Sequence, residues 1–248
     1  MNQYGLIGKT LSHSFSKKYF EAKFQKENIQ DVTYENFEIN SVEKFPNIIK
    51  ENPLLRGLNV TIPYKTSIIP FLDEIDATAK KIGAVNTIKI DPVTKKTKGF
   101  NTDYYGFKQS IKPFLENQHQ RALILGTGGV SKAVYFVLHE LGISTVYVTR
   151  NPTNETALAY NDVDKNILQT HLLIINTTPL GMYPNENEKP AIDYHLLTNQ
   201  HLLFDLIYNP TETLFLKEGK KRNTATINGL SMLKLQAEKT WEIWNETA

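Results

Sequence analysis

Cysteine is absent from the 248 residues, which excludes disulfides and thiolate-held metal centres and fits a reducing compartment. No apolar run approaches the roughly 18 residues of a membrane-spanning helix. The opening MNQYGLIGKT lacks the basic-then-apolar order of a secretory signal. Charge of one sign is also scarce: 28 basic residues stand against 26 acidic ones, for a net charge of +2. That balance gives no reason to expect a nucleic acid or a membrane as partner. The expectation is a cytoplasmic protein, and nothing in the sequence chooses between a monomer and a homodimer.

Hydrophobic residues make up 40% of the chain, enough for one large or two modest cores, and two domains are expected. The stretch 121–151 organises the reading. Residues 122–125 are an apolar run suited to a strand buried on both faces, and the run stops at Gly126, Gly128 and Gly129. Val130, Ala133, Val134, Val137, Leu138 and Leu141 then recur at helical spacing, and Gly142 ends the helix. Strand, glycine turn and helix together aim free N–H groups at one point, where a pyrophosphate is favoured. Ser131 stands where a full dinucleotide fingerprint has its third glycine, so the turn alone is also compatible with an ordinary bend. The second strand, 144–149, ends at Arg150, 24 positions after Gly126. An acidic residue there binds the ribose 2′-hydroxyl of NAD, whereas a guanidinium suits a 2′-phosphate. Arg150 therefore points to NADP, unless it is simply a solvated strand end.

The first hundred residues read as strands and helices in alternation. Strands are expected at 4–8, 32–39, 57–61 and up to Ile90, and helices at 17–27, after Ser41 and at 74–82. Ser14 and Ser16, two apart, point the same way in an extended segment and suit one carboxylate, or else they cap the helix. Thr61 and Lys65 follow a strand, at the end where open α/β sheets carry ligand groups. Asn86 reads as a turn residue or a ligand, and Asp103 as the cap of a helix near Tyr104 or as a chemical group. Further strands are expected at 170–176, 202–207 and 224–227, with an exposed loop at 183–191 and a helix beginning near 208–211. In the closing helix Leu230, Leu233, Ala237, Trp241 and Trp244 form one apolar stripe, with Met232 and Gln236 beside it.

The strings HSFS, NVTIPYK, GAVNT, GFNTD, LGTGGVSKA, NTTPLGM and GLSMLKLQA occur in one order between His13 and Ala237. In this combination the chain resembles the shikimate dehydrogenases over nearly its whole length. The resemblance implies an α/β fold of two domains with the active site in the cleft between them. The substrate domain, at 1–102, has a mostly parallel sheet. A Rossmann-like NADP domain covers 103–229, and the last helix, 230–248, returns to the first domain. It implies reversible, metal-free hydride transfer between NADPH and 3-dehydroshikimate. By the same resemblance Ser14 and Ser16 hold the substrate carboxylate. Thr61, Lys65, Asn86, Asp103 and Gln236 surround the ring hydroxyls, and Tyr208 is another substrate contact. Lys65 transfers the proton, with Asp103 orienting it and a substrate hydroxyl. Gly126, Thr127, Gly128, Gly129, Val130, Thr149, Arg150, Asn151, Pro152, Thr153, Asn154, Leu206 and Gly229 match cofactor contacts.

Three positions depart from the family pattern. Thr149-Arg150-Asn151 replaces the commoner Asn-Arg-Thr or Asn-Arg-Ser, Lys132 replaces an arginine, and Thr127 replaces alanine. Two rival readings are a quinate/shikimate dehydrogenase using NAD or NADP and a noncatalytic NADP-binding regulatory homologue. Ser16 argues against the first, since quinate users often carry threonine there; retention of Lys65 and Asp103 argues against the second.

Overall fold

The computed structural model describes residues 1–12, 14–152 and 157–246. The chain divides into two compact units, Met1–Thr102 with Ala237–Ala248, and Asp103–Gln236. Among the described residues no helix is long and apolar enough to cross a membrane.

The first unit is built on a six-stranded sheet. Its strands are β1 (Asn2–Gly8), β2 (Val32–Glu38), β3 (Leu55–Val60), β4 (Glu74–Ile75), β5 (Thr87–Ile90) and β6 (Thr97–Phe100), in the order β2-β1-β3-β5-β6-β4. β5 runs against both its neighbours, whereas β1 pairs in parallel with β2 and β3, and β4 with β6. The connections include α1 (Phe15–Lys26), α2 (Phe45–Glu51) and α3 (Ala77–Ile82). Alternation along β1 sends Ile7 into a core with Phe45, Leu58, Ile68 and Ile88, and sends Tyr4 and Leu6 into another with Phe20, Tyr34 and Trp244. The second core is closed by the end of the last helix: Trp244 stacks on Tyr4 with ring centroids 4.6 Å apart, and its indole Nε1 donates to the Ile88 carbonyl at 2.9 Å.

Two sequence expectations change in this unit. Residues 74–82 do not form one helix: Glu74 and Ile75 pair with Lys98 and Gly99, and α3 begins only after Asp76, whose carboxylate caps it through the amides of Thr78 and Ala79. An aspartate that binds two first-turn N–H groups fixes the helix start more strongly than apolar spacing upstream of it. Gly83 then ends α3 in the left-handed region, at φ 71°. Asp103 is not a cap either. It lies in the first turn of α4 (Thr102–Ile111), a position an acidic side chain favours for the helix dipole.

The second unit is a doubly wound parallel sheet. Its strands are β7 (Arg121–Leu125), β8 (Ser144–Thr149), β9 (Ala157–Ala159), β10 (Leu173–Asn176), β11 (Leu202–Asp205) and β12 (Ala225–Ile227), in the order β12-β11-β10-β7-β8-β9. Every pair is parallel, so α5 (Gly129–Glu140), α6 (Lys165–Thr170), α7 (Leu214–Lys220) and the loops make the crossovers. The chain leaves β7 toward β8 and β9, then returns to β10 on the other side, so the direction reverses between β7 and β10, the place where such sheets bind ligands. Ala122, Leu123, Ile124 and Leu125 are all inaccessible to solvent, as the unbroken apolar run requires.

Here too the boundaries move. Thr170 ends α6 and β10 begins only at Leu173, while the helix expected near 208–211 starts at Leu214, where the Thr213 hydroxyl caps it. In α8 (Leu230–Asn245) the most buried side chains are Met232, Gln236, Ala237, Thr240, Ile243 and Trp244, so Leu230, Leu233 and Trp241 sit at the margin of the buried face instead of at its centre. The face has moved because Gln236 and Thr240, both polar, belong to it.

Candidate active site

In the second unit the site begins where β7 runs into α5. Gly126 adopts φ +101°, and its amide donates to the Val148 carbonyl at 2.8 Å, so the turn is locked to the neighbouring strand. A Cβ there meets the Thr177 hydroxyl and the Thr178 methyl at 2.9 Å each. Gly128 is the N-cap of α5 and has no side chain to offer the first-turn amides, and the space where its Cβ would stand is open to 4 Å. Ser131 turns its hydroxyl back onto the Gly128 carbonyl at 2.6 Å, which tightens the turn from inside. The result is a twelve-residue helix whose N-terminal N–H groups face an open cradle, which fits a pyrophosphate. Thr127 and Gly128 are exposed, and Gly129 and Val130 half-exposed, along this turn.

Arg150 is exposed directly after β8, beside Asn151 and Pro152, which are exposed as well. Burial raises the pKa of the Tyr160 phenol, just after β9, and the nearby Arg150 charge partly offsets it. An always-charged group at the end of the strand that follows the glycine turn fits a 2′-phosphate. Thr153 and Asn154 lie outside the described residues.

The ends of β10 and β11 hold a buried polar cluster that the sequence reading missed. Asp205 accepts from Asn176 Nδ2 at 3.0 Å, from the Ile207 amide at 3.1 Å and from the Thr213 hydroxyl at 2.6 Å. Burial pushes its pKa up to about 6 in spite of these three donors. The Asn176 Oδ1 in turn takes the Thr178 amide and hydroxyl, at 3.0 and 2.6 Å. One carboxylate thus binds the loop after β11, which carries Leu206 and Tyr208, to the loop after β10. The available signal was a charged residue closing an otherwise apolar strand. Leu206 and Gly229, assigned separately to the cofactor, are brought together: the Gly229 amide donates to the Ile207 carbonyl at 2.9 Å. Tyr208 is half-buried, and burial raises the pKa of its phenol. Gln236 is buried against Gly106 of α4, and its Nε2 donates to the Leu233 carbonyl at 3.0 Å.

In the first unit, Thr61 and Lys65 lie just beyond β3, both half-buried. The Thr61 amide bonds the Ile7 carbonyl at 2.9 Å and the Lys65 carbonyl accepts from the Val85 amide at 2.7 Å, so the turn is fixed to β1 on one side and to the segment before Asn86 on the other. Asn86 is almost fully buried. Its Oδ1 accepts from the Thr102 amide at 2.7 Å and its Nδ2 donates to the Thr102 hydroxyl at 3.0 Å. This ties Asn86 to the residue immediately before Asp103, which is itself buried.

The serine pair does not lie on an extended segment. Ser14 is the N-cap of α1, accepting from the Lys17 amide at 3.5 Å, and Ser16 falls in the first turn. Capping overrides extension because the first-turn amides need acceptors. The hydroxyl of Ser16 meets the Tyr34 phenol, which donates to Asn59 Oδ1 at 2.8 Å. Both serines therefore stand at a helix N-terminus, an environment that also favours a carboxylate.

Comparison with known proteins completes the picture. Residues 6–88 match the family model described as the shikimate dehydrogenase substrate binding domain. The chain is 41% identical over 259 aligned positions to the shikimate dehydrogenase (NADP(+)) of Clostridium beijerinckii, covering 99% of this chain and 93% of that one. Among solved structures, shikimate dehydrogenase 1 from Peptoclostridium difficile is similar at 40% identity and a TM-score of 0.86, over 100% of this chain and 93% of that one. Shikimate 5-dehydrogenase from Thermus thermophilus, solved in complex with NADP(H) and shikimate, gives 28% identity and a TM-score of 0.86, over 99% and 94%. A doubly wound sheet with an uncapped glycine turn, a second α/β unit with polar groups at its strand ends, and this full-length likeness agree: the chain belongs to the shikimate dehydrogenase family.

Proposed function

We propose that the chain catalyses the reversible, NADPH-dependent reduction of the C3 carbonyl of 3-dehydroshikimate to shikimate, a step toward the aromatic amino acids. The observation that carries the reading to this chain is the open, uncapped N-terminus of α5 with an arginine, and no acid, at the end of β8. Residues 1–102 together with the end of the final helix, from Ala237, are assigned to the substrate, and 103–229 to the cofactor. A chain without cysteine that consumes a reduced nucleotide suits the cytoplasm.

The amides at 126–130 are assigned to the pyrophosphate and the segment 149–152 to the 2′-phosphate, with Leu206 and Gly229 as further cofactor contacts. NADPH, when bound, supplies the hydride. As the substrate carbon gains it, negative charge grows on the carbonyl oxygen, and the Lys65 ammonium stabilises that charge and passes it a proton from Nζ. In the oxidative direction the neutral amine accepts the proton. Asp103 and Asn86 are assigned to substrate hydroxyls, with Thr61, Tyr208 and Gln236 as additional contacts. Ser14 and Ser16, at the N-terminus of α1, are assigned to the substrate carboxylate.

The test is a spectrophotometric assay of the purified chain with shikimate or quinate, each with NADP or NAD, following the reduced nicotinamide. Turnover of shikimate with NADP is expected to exceed the other three combinations. Preference for quinate or NAD would replace the reading with that of a quinate/shikimate dehydrogenase, and no turnover in any arm would leave a noncatalytic binder.

A further inference from the structure

Three threonine hydroxyls meet in the interior of the first unit. Thr87 opens β5, Thr102 opens α4 and Thr240 lies in α8. Their Oγ1 atoms stand 2.9 Å apart for Thr87 and Thr240, 3.0 Å for Thr102 and Thr240, and 3.2 Å for Thr87 and Thr102. All three residues are inaccessible to solvent. Asn59 Nδ2 approaches the ring from β3, 3.4 Å from both Thr87 and Thr240. The chain passes between its compact units twice, after Thr102 and after Gln236, and Thr240 is one helical turn beyond the second passage.

Hydrogen counting gives the ring a task. Thr102 Oγ1 receives one Asn86 Nδ2 hydrogen, so its own hydrogen needs an acceptor other than that nitrogen. Thr240 supplies one at 3.0 Å. Thr87 Oγ1 and Asn86 Oδ1 stand 3.2 Å from the same Thr102 hydroxyl, and Asn86 Oδ1 also accepts from the Thr102 amide and lies 3.2 Å from the Thr87 hydroxyl, so the three threonines and the Asn86 amide form one network. Removing the Thr240 hydroxyl takes a member out of this buried network, the costly case, and loosens the frame that fixes the orientation of the Asn86 amide. The second Nδ2 hydrogen is the one that the proposed function needs for a substrate hydroxyl.

We propose that Thr240 is a positioning residue for substrate binding: by closing the hydroxyl ring it holds the Asn86 side chain and the start of α4, immediately before Asp103, in register. The proposal rests on the reading of Asn86 and Asp103 as substrate contacts. No catalytic contact is assigned to Thr240 itself.

The test compares the full-length wild type with Thr240→Val, which keeps the shape and removes the hydroxyl, and Thr240→Ser, which keeps the hydroxyl. Thr240→Val is expected to raise the shikimate KM about tenfold, the equivalent of one buried hydrogen bond. The NADPH KM should stay within about twofold, and Thr240→Ser should restore the shikimate KM to within about twofold of wild type. Amide hydrogen exchange at Thr102, whose N–H bonds Asn86 Oδ1, reads the same positioning without turnover; it should quicken in Thr240→Val and return to the wild-type rate in Thr240→Ser. An unchanged shikimate KM with unchanged Thr102 exchange in Thr240→Val would overturn the proposal, as would a serine variant as impaired as the valine one. If the wild type turned over no shikimate, the functional reading would fall by itself, and Thr102 exchange would still decide the role of Thr240.

Discussion

Gly229 lies so close to Leu206 that a Cβ on the glycine would stand 2.1 Å from the Leu206 carbonyl oxygen and 2.5 Å from its carbonyl carbon. The obstacle is backbone, which cannot rotate away as a side chain can. Gly229→Ala therefore has to displace the loop after β11 that carries Leu206. The expected outcome is a rise of about tenfold in the NADPH KM, matching the roughly 1–3 kcal/mol typical of overpacking. Steady-state kinetics check it, and an unchanged NADPH KM would remove both residues from the cofactor site.

Arg150→Ala should raise the NADPH KM by about tenfold or more, since hydrogen bonds to charged groups are worth roughly 1.5–3 kcal/mol. The NADH KM should barely move, because NADH has no 2′-phosphate. Equal losses with the two cofactors would mean that the exposed guanidinium after β8 has another role.

How far this site could be read in advance depends on how local its signals are. The turn at 126–130 was legible because an apolar run, three glycines and a 3.6-residue repeat all fall within one stretch. The strands β4 and β9 were not, because two or three residues carry no period. Ser14 and Ser16 were legible as residue types, but their geometry depended on whether the chain was already helical there. The partnerships of Thr240 and Asp205 were hidden for a different reason, although a charge closing an apolar strand marks Asp205 itself. The partner of Thr240 at position 102 is 138 residues away and that of Asp205 at position 176 is 29 away, so no window along the sequence holds both members. Polar residues on a buried helix face also break the hydrophobic stripe that marks it, which is how Gln236 and Thr240 displaced the face expected for α8.

Among the described residues, three buried histidines give the fold a pH dependence. Burial lowers the pKa values of His119, His171 and His201 below the ordinary 6.5, holding their imidazoles neutral. Between 6.5 and their folded values the unfolded chain binds more protons than the folded one, so stability falls as pH falls through that window. Asp205 works in the opposite sense: with its pKa raised to about 6, the folded chain binds the extra proton below that pH and gains stability on acidification. Three groups against one should leave a net loss. Urea midpoints at about pH 7.5 and pH 5.5, two values that bracket the ordinary histidine pKa, check this; a higher midpoint at the lower pH would show that the carboxylate dominates.

The last helix is held by Trp244, which fills the space over Gly57 and donates to the Ile88 carbonyl. Truncation to alanine should cost about 3–5 kcal/mol of folding stability, the range for large buried aromatics. Denaturant melts of the full chain measure it, and a loss under about 0.5 kcal/mol, the size of an ordinary surface change, would place the indole outside the core.

The most direct measurement of the account is the turnover number of Lys65→Ala beside its affinity for NADPH. Removing the group to which protonation of the developing alkoxide is assigned should lower kcat by about a hundredfold or more, the usual scale of acid–base catalysis. The NADPH dissociation constant, read by nucleotide fluorescence, should stay close to that of the wild type. A kcat near the wild-type value would contradict the assignment of proton transfer to Lys65.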